Sequence, residues 1–166
     1  HPGVAGVRMG DRRPRQPQDR KADRHDQEHR HQQGTRGDEA RPPAVGEAAK
    51  HGAEKEDVLL QHVPGSFELP LGAQLLYESH EIDAVICIGC VITGETKHDD
   101  YINMAVSQAI MQLGLEYNTP FVFGVLTPRT HKQALERAGG KHGNKGVEAA
   151  ITAIKMVHAV RMLDIE

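Results

Sequence analysis

The chain has 166 residues, of which 26% are charged, and a formal net charge of −3 at pH 7. This length suits one domain with a substantial core, and so small a net charge gives no reason to expect nucleic acid or an anionic membrane as a partner. Because no stretch approaches the roughly 18 to 20 continuous apolar residues of a membrane span, and no apolar segment at the N-terminus resembles a secretory signal, we expect a cytoplasmic protein.

The first 45 residues are poor in apolar side chains. They contain no Leu, Ile, Phe, Tyr, Trp or Cys, and their larger apolar residues are only Val4, Val7, Met9 and Val45. Ordering a residue costs about 1 to 2 kcal/mol of backbone entropy, whereas a buried apolar side chain returns about 1.5 to 3 kcal/mol. We therefore expect no strand in residues 1–45 and, for this segment alone, disorder. Mixed charges without interleaved aromatic residues argue against a nucleic-acid-binding arm.

Residues 46–166 have the apolar patterning of an α/β domain. The expected elements are the end of a helix near Gly52, strands at 58–63, 83–91 and 120–126, and helices at 67–80, 101–118, 131–138 and around 147–157. The run "DAVICIGCV" at 83–91 is typical of a strand covered on both faces. Since strands alternate with helices, the pattern predicts parallel βαβ units, and thus a parallel sheet flanked by helices on both faces.

Cys87 and Cys90 form a C-x-x-C pair within the strand at 83–91. In thiol redox proteins such a pair usually lies where a helix begins, whereas positions i and i+3 of a strand point to opposite faces. The strand position therefore favours buried or site-lining thiols. A dithiol redox protein remains an alternative, and it predicts rapid alkylation of both thiols in the native state.

Polar loops follow the three predicted strands, with the sequences "PGSFE", "TGETKH" and "TPRT". Ligands of open parallel sheets bind beyond the carboxyl ends of the strands, so these loops are expected to meet at one edge. His98 lies in this region, and an imidazole gains and loses protons near neutrality. Asp99 or Asp100 can orient it, and Gly94 and Thr96 offer a turn suited to an anion. The alternative is that His98 only caps the helix that follows.

The segment "GGKHGNKG" at 139–146 contains four glycines and two lysines. Glycines let the backbone approach a ligand closely, and nearby Arg137 adds a further cation. The segment is not a P-loop, because Lys145 is followed by Gly rather than Ser or Thr. A tight turn between two helices is the alternative explanation. No metal-ligand spacing is recognisable in the chain.

The segments "VPGSFELP", "VITGETKHDDYI", "FVFGVLT" and "RAGGKHGNKGVEAA" resemble the lumazine synthase family in order and spacing, over about residues 46–163. This resemblance implies a flavodoxin-like three-layer sandwich that assembles at least into pentamers, with active sites between neighbouring subunits. It also implies a transferase reaction without metal or cofactor. In that reaction 5-amino-6-(D-ribitylamino)uracil condenses with 3,4-dihydroxy-2-butanone 4-phosphate to give 6,7-dimethyl-8-ribityllumazine, phosphate and water.

The resemblance also implies roles for individual residues. His98 would move protons, and Arg137 of the adjacent subunit would anchor the phosphate, because a guanidinium fork suits phosphate oxygens. Phe123 would arrive from the same neighbour, and Lys145 with Glu148 would complete the phosphate wall. The remaining contacts implied are Ser66, Phe67 and Glu68 to the ribityl chain and pyrimidine, Cys90, Val91 and Ile92 to the uracil edge, and Glu95 and Thr96 to the phosphate-bearing ketone.

Residues 1–45 depart from this family, in which an initial strand ends in an aromatic residue that stacks on the pyrimidine. Either that stacking partner is missing, or these residues result from a frame or assignment error, which is the explanation we favour. The expected partners are other copies of the chain, as a pentamer or a pentamer-based 60-mer, and riboflavin synthase. The alternative function is a non-catalytic cage or a flavin-like ligand-binding shell of the same fold.

Overall fold

The structure is a computed structural model that describes residues 2–9 and 57–163. The predicted helix end near Gly52 and most of residues 1–45 lie outside the described residues. The described strands are β1 Gly3–Val7, β2 Val58–His62, β3 Ala84–Cys90, β4 Phe121–Leu126, β5 Ala138–Gly140 and β6 Gly143–Asn144. The described helices are a 3₁₀ turn Ser66–Glu68, α1 Leu69–Ser79, α2 His98–Tyr117, α3 His131–Arg137 and α4 Lys145–Leu163.

The main sheet has the strand order β2-β1-β3-β4. Strands β3 and β4 pair in parallel, from Val85 opposite Phe121 to Cys90 opposite Leu126. Strand β1 is antiparallel to both of its neighbours. The prediction of a wholly parallel sheet is therefore wrong, because the central strand is reversed. Since β2 and β3 both oppose β1, strands β2, β3 and β4 still point the same way and end at one side of the sheet.

We call the side where β2, β3 and β4 end the carboxyl edge, marked by His62, Cys90 and Leu126, and the side where they begin the amino edge. The expectation that polar loops meet at the carboxyl edge depends only on the common direction of these three strands. The reversal of β1 leaves that part of the prediction intact.

Strand β1 contradicts the expectation that residues 1–45 contain no strand. All five residues of "GVAGV" are buried, and Val4 has no exposed surface. A Cβ on Gly6 would lie 2.6 Å from Cδ1 of Ile82, so the missing side chain lets Ile82 pack against the strand. The strand thus occupies the centre of the sheet because its residues are small or β-branched and uncharged, although none is large.

The end of β1 is bound to the amino edge by polar contacts. The backbone N–H of Met9 donates to Oδ2 of Asp83 at 2.7 Å, and the carbonyl of Met9 accepts from Nη2 of Arg161 at 3.0 Å. Arg161 also pairs with Asp83, with 3.5 Å between Nη2 and Oδ1. The side chain of Arg8 donates to the carbonyl of Glu81 at 2.7 Å. These contacts tie β1 to the start of β3 and to α4.

Helices cover both faces of the sheet, as predicted. On one face α1 and α2 pack against a core that includes Leu69, Leu76, Val106 and Ile110. On the other face α4 contributes small residues and Val157 to a second core. No described helix combines the length and the apolar character needed to cross a bilayer.

An aromatic cluster lies at the amino edge, where α1 and α2 end. The ring of Tyr77 is 4.8 Å from that of Tyr117 and 5.5 Å from that of Phe121, measured between centroids. The Tyr77 hydroxyl shares a buried hydrogen bond of 2.9 Å with Oγ1 of Thr119. The Tyr117 hydroxyl donates to the carboxylate of Glu78, which raises the pKa of Tyr117 to about 12 and lowers the pKa of Glu78.

The glycine-rich segment forms a short hairpin of β5 and β6 between α3 and α4. Gly139 and Gly143 have φ values of 117° and 83°, a region that other residues rarely adopt. Two of the four glycines are therefore explained by backbone conformation. The hairpin brings the end of α3 next to the start of α4.

Candidate active site

The first loop at the carboxyl edge carries the 3₁₀ turn. Ser66 is buried, whereas 59% of Phe67 is exposed and Glu68 is also exposed. A Cβ on Gly89 would lie 2.8 Å from Oγ of Ser66, so the glycine lets Ser66 lie directly against the end of β3. Phe67 and Glu68 are therefore exposed to solvent, next to Ser66, which packs against the end of β3.

The second loop continues from β3 alongside the residues that follow β4. The N–H of Val91 donates to the carbonyl of Leu126 at 2.9 Å, and that of Thr93 donates to Pro128 at 3.0 Å. These bonds hold the loop backbone beside the residues that follow β4, with Cys90, Ile92 and Thr93 exposed at the carboxyl edge.

The two thiols do not have the properties of a redox pair. Cys87 lies in the core, and burial raises its pKa to about 12. The pKa of Cys90 is also raised, because its thiol is partly desolvated although the residue as a whole is exposed. A redox cysteine requires a lowered pKa, because the thiolate is the reactive form. The dithiol alternative therefore has no support from the environment of either thiol.

His98 is the first residue of α2, and its side chain is exposed. The N-cap residue is Lys97, and no side chain caps this helix, so His98 does not have the capping role considered as an alternative. Asp99 is only 9% exposed, and its Oδ1 lies 3.5 Å from the N–H of Gly94. Asp99 therefore faces the loop at 94–97 and supports it. The other candidate orienting residue, Asp100, is exposed.

Arg137 ends α3 and is bound through its terminal nitrogens. Nη1 donates to the carbonyl of His142 at 2.5 Å, and Nη1 and Nη2 each lie 2.9 Å from a different oxygen of Glu148. Nζ of Lys145 is 3.8 Å from Oε2 of Glu148. The hydrogen bond from Arg137 and the charges of Arg137 and Lys145 lower the pKa of Glu148. We call Arg137, Lys145 and Glu148 the cationic cluster; it carries two positive charges and one negative charge.

Comparison with known proteins decides the family. The model of a family described as 6,7-dimethyl-8-ribityllumazine synthase matches residues 28–161. The chain belongs to this lumazine synthase family. The resemblance inferred from the four sequence segments is therefore confirmed, and the match begins upstream of residue 46, at a position outside the described residues.

Curated relatives carry the same name. A 6,7-dimethyl-8-ribityllumazine synthase of Cytophaga hutchinsonii is 56% identical over 114 residues, which cover 69% of this chain and 72% of the relative. One of Porphyromonas gingivalis is 52% identical over 119 residues, covering 72% and 74%. One of Bacteroides fragilis is 51% identical over 121 residues, covering 73% and 85%.

Most of the residues to which the family resemblance assigned a role lie at the carboxyl edge. These are Ser66, Phe67, Glu68, Cys90, Val91, Ile92, Glu95, Thr96 and His98. Arg137 and Lys145 belong instead to the cationic cluster, and no hydrogen bond or ion pair within residues 2–9 and 57–163 joins Arg137 to His98. Phe123 lies in β4 opposite Cys87, half-buried against the core beneath α1 and α2.

Sequence reasoning missed the contact of Asp99 with Gly94. The signal was present in the helical spacing, because Asp99, Val106, Ile110 and Leu113 are the buried residues of one α2 face. A carboxylate on this face is expected to have a polar partner nearby.

A cleft of ≈ 260 Å³ lies between α1 and α2, lined by residues that include Pro70, Gln74, Gln112 and Glu116. None of the residues predicted to bind substrate lines it. In the described part of the chain, no group of three or more His, Cys, Asp or Glu side chains is placed to bind a metal ion.

Proposed function

We propose that this chain condenses 5-amino-6-(D-ribitylamino)uracil with 3,4-dihydroxy-2-butanone 4-phosphate to give 6,7-dimethyl-8-ribityllumazine, phosphate and water. Membership of the lumazine synthase family, with relatives about half identical and all bearing that enzyme's name, supports this activity. The alternative of a non-catalytic cage or flavin-binding shell is not favoured by those names. The proposed roles of individual residues rest mainly on His98, whose side chain is exposed at the carboxyl edge.

The reaction consists of steps that each move a proton. The amine of the uracil attacks the ketone, water leaves to give an imine, phosphate is eliminated, and a second dehydration closes the ring. An exposed imidazole is suited to this task, because its ring nitrogens can both accept and donate protons. Holding two substrates in register contributes further, because a bimolecular encounter becomes effectively unimolecular.

The substrates are assigned to the loops of the carboxyl edge. Ser66, Phe67 and Glu68 receive the ribityl chain and the pyrimidine, and the strand end at 90–92 receives the uracil edge. Glu95 and Thr96 lie against the ketone. The phosphate binds to Arg137, with Lys145 as a second cation, because both side chains are partly exposed and their charges complement a dianion.

Neighbouring copies of the chain complete this site. Arg137 and Phe123 act in the site of the adjacent subunit. Exposed apolar side chains on the outer faces of α1 and α2 support self-association: Leu71, Leu75, Tyr101, Met104, Met111 and Leu115. Large apolar side chains that are exposed in a single chain are often buried against another chain. We propose a pentamer or a pentamer-based 60-mer, in the cytoplasm, with riboflavin synthase as a further partner.

A two-substrate assay tests the function. The full chain is incubated with both substrates, and lumazine fluorescence and inorganic phosphate are followed together. We expect both signals to rise in equal molar amounts, and neither to rise when one substrate is omitted. Binding of the substrates without product would favour the ligand-binding shell, and mass measurement by light scattering distinguishes the pentamer from the larger assembly.

A further inference from the structure

We propose that Glu148 is a positioning residue, which holds one edge of the Arg137 guanidinium so that the opposite edge stays open for the phosphate of the substrate. This inference rests on the proposed function, in which Arg137 anchors that phosphate. It assigns Glu148 a task different from contact with substrate.

The hydrogen-bond donors of Arg137 divide into two groups. A guanidinium has five N–H donors in a fixed planar fork. Nη1 donates to the carbonyl of His142 and lies 2.9 Å from Oε1 of Glu148, and Nη2 donates to Oε2 of Glu148. The N–H of Nε and the second N–H of Nη2 have no hydrogen-bond partner among the described residues. These two donors lie side by side on one edge.

That open edge is suited to a phosphate. Two parallel N–H groups on a guanidinium bind two oxygens of one phosphate at the same time. The Arg137 side chain is 35% exposed, so a ligand can reach it. A guanidinium that rotated freely would present this edge only part of the time, whereas one bound to Glu148 and His142 presents it continuously.

Glu148 is itself held in place. It lies in the first turn of α4, where the helix dipole favours a negative charge. Asn144 fixes the start of that helix, because its Oδ1 accepts from the N–H groups of Gly146 and Val147 at 2.9 and 3.2 Å. The N–H of His142 donates to the carbonyl of Glu136 at 2.8 Å, which closes the hairpin back onto α3. The backbone that carries Glu148 and His142, the two partners of Arg137, is therefore held by hydrogen bonds.

A rival explanation predicts the opposite effect on phosphate binding. If Glu148 were only a counter-ion, it would compete with phosphate for Arg137, and removing its charge would tighten anion binding. If Glu148 positions Arg137, removing it weakens phosphate binding even though the site becomes more positive. The sign of the change separates the two explanations.

The experiment uses the full chain with inorganic phosphate as the probe. For Glu148→Gln we expect the phosphate dissociation constant, from calorimetry and from inhibition of turnover, to rise about tenfold, the loss typical of a charged hydrogen bond. The KM for the phosphate-bearing ketone should rise with it, whereas the KM for the uracil substrate should not change. A merely structural role would not separate the two KM values.

Glu136→Gln is the matched control. It removes the same charge from the residue that precedes Arg137, where the Glu136 carboxylate lies 3.9 Å from Nε2 of His142 and forms no ion pair with Arg137 among the described residues. Phosphate binding should be unchanged or slightly tighter in this variant.

Glu148→Asp is a second variant, in case Glu148→Gln does not fold. It keeps the negative charge, but its side chain is too short to reach both Nη1 and Nη2 of Arg137. Positioning predicts weaker phosphate binding for it, and the counter-ion explanation predicts no change.

Arg137→Ala separates failure of the inference from failure of the proposed function. If phosphate binds Arg137→Ala as tightly as the parent, Arg137 is not the phosphate anchor, and both proposals about it are wrong. If Arg137→Ala loses phosphate binding while Glu148→Gln keeps or tightens it, only the positioning role of Glu148 is overturned. Loss in both, with Glu136→Gln unaffected, supports the inference.

Discussion

The two edges of the main sheet differ in how their side chains are used. At the amino edge, Tyr77, Tyr117 and Phe121 pack ring against ring, and Tyr77 and Thr119 share a buried hydrogen bond. At the carboxyl edge, the side chains of Phe67 and His98 are exposed, and the loops are held mainly by backbone bonds.

The two edges are therefore expected to contribute differently to the stability of the fold and to catalysis. Side chains that contact each other stabilise the fold, whereas side chains that bind a ligand must stay accessible to it. Substitutions at the amino edge are therefore expected to change the free energy of unfolding, and substitutions at the carboxyl edge to change turnover. Four predictions test this division, from the largest effect to the smallest.

The largest effect is expected in β1, which crosses between the two edges. Val4→Asp places an unpaired charge at a position with no exposed surface, and we expect the free energy of unfolding to fall by about 3 to 5 kcal/mol. Urea titration at fixed protein concentration measures this change. Gln61→Asp is the control, because Gln61 is the exposed register partner of Val4 on β2. Equal stability of the two variants would contradict a central β1.

The aromatic cluster is expected to give the next largest effect. Tyr77→Ala leaves a cavity between Tyr117 and Phe121 and should lower the free energy of unfolding by about 3 kcal/mol. Tyr77→Phe keeps the ring and loses the bond to Thr119, at a cost of about 1 kcal/mol. Both variants, assayed below their unfolding temperatures, should retain the parent turnover rate; a slowed reaction would show that the amino edge takes part in chemistry.

At the carboxyl edge, His98→Ala should slow turnover about 10²-fold without changing the urea midpoint. Residual activity should remain, because the substrates are still held in register. His80→Ala is the matched control, since His80 follows α1 at the amino edge and is exposed there. An unchanged rate in His98→Ala would remove this residue from the mechanism.

The smallest effect concerns the bond between Tyr117 and Glu78. The folded-state pKa of Tyr117 is raised from 10.0 to about 12, so its contribution is present below pH 10 and is lost as pH rises toward 12. The pKa of Glu78 is lowered from 4.5, so its contribution is present above that pH and is lost as pH falls through the lowered pKa. Because the bond between the hydroxyl and the carboxylate is exposed to solvent, we expect Tyr117→Phe to cost well under about 1 kcal/mol.

Thermal unfolding across pH measures this last effect. The difference in stability between the parent chain and Tyr117→Phe should be largest between the two ordinary pKa values, 4.5 and 10.0, and should shrink at both extremes. A difference that stays constant with pH would show that the Tyr117 hydroxyl makes no stabilising bond to a carboxylate.

The sequence predicted the elements whose large apolar residues recur at regular spacing. Strands β2, β3 and β4 and the four helices are close to their expected positions, although α2 begins three residues earlier than predicted, at His98. Strand β1 was missed because the entropy argument treated all 45 residues together, whereas Val4, Ala5 and Val7 lie in one short run that is buried by itself. Its reversed direction could not be deduced either, since apolar periodicity does not encode strand direction.

The candidate site was predictable to the same extent. The rule that ligands bind beyond strand ends placed His98 and its neighbours correctly at the carboxyl edge. The pairing of Arg137 with Glu148 was not predictable, because it spans eleven residues across a hairpin that depends on the positive φ values of Gly139 and Gly143. No helical or strand spacing brings such residues together.

The position of β1 has a consequence for how the chain folds. Gly3 is paired with His62 on one side and with Ile88 on the other, so both neighbours are distant in sequence. Closing such long loops is slow, and a nascent chain synthesises β1 well before either neighbour exists. Strand β1 is therefore synthesised before either of its hydrogen-bonded neighbours, and until they emerge its backbone is open to association with other chains.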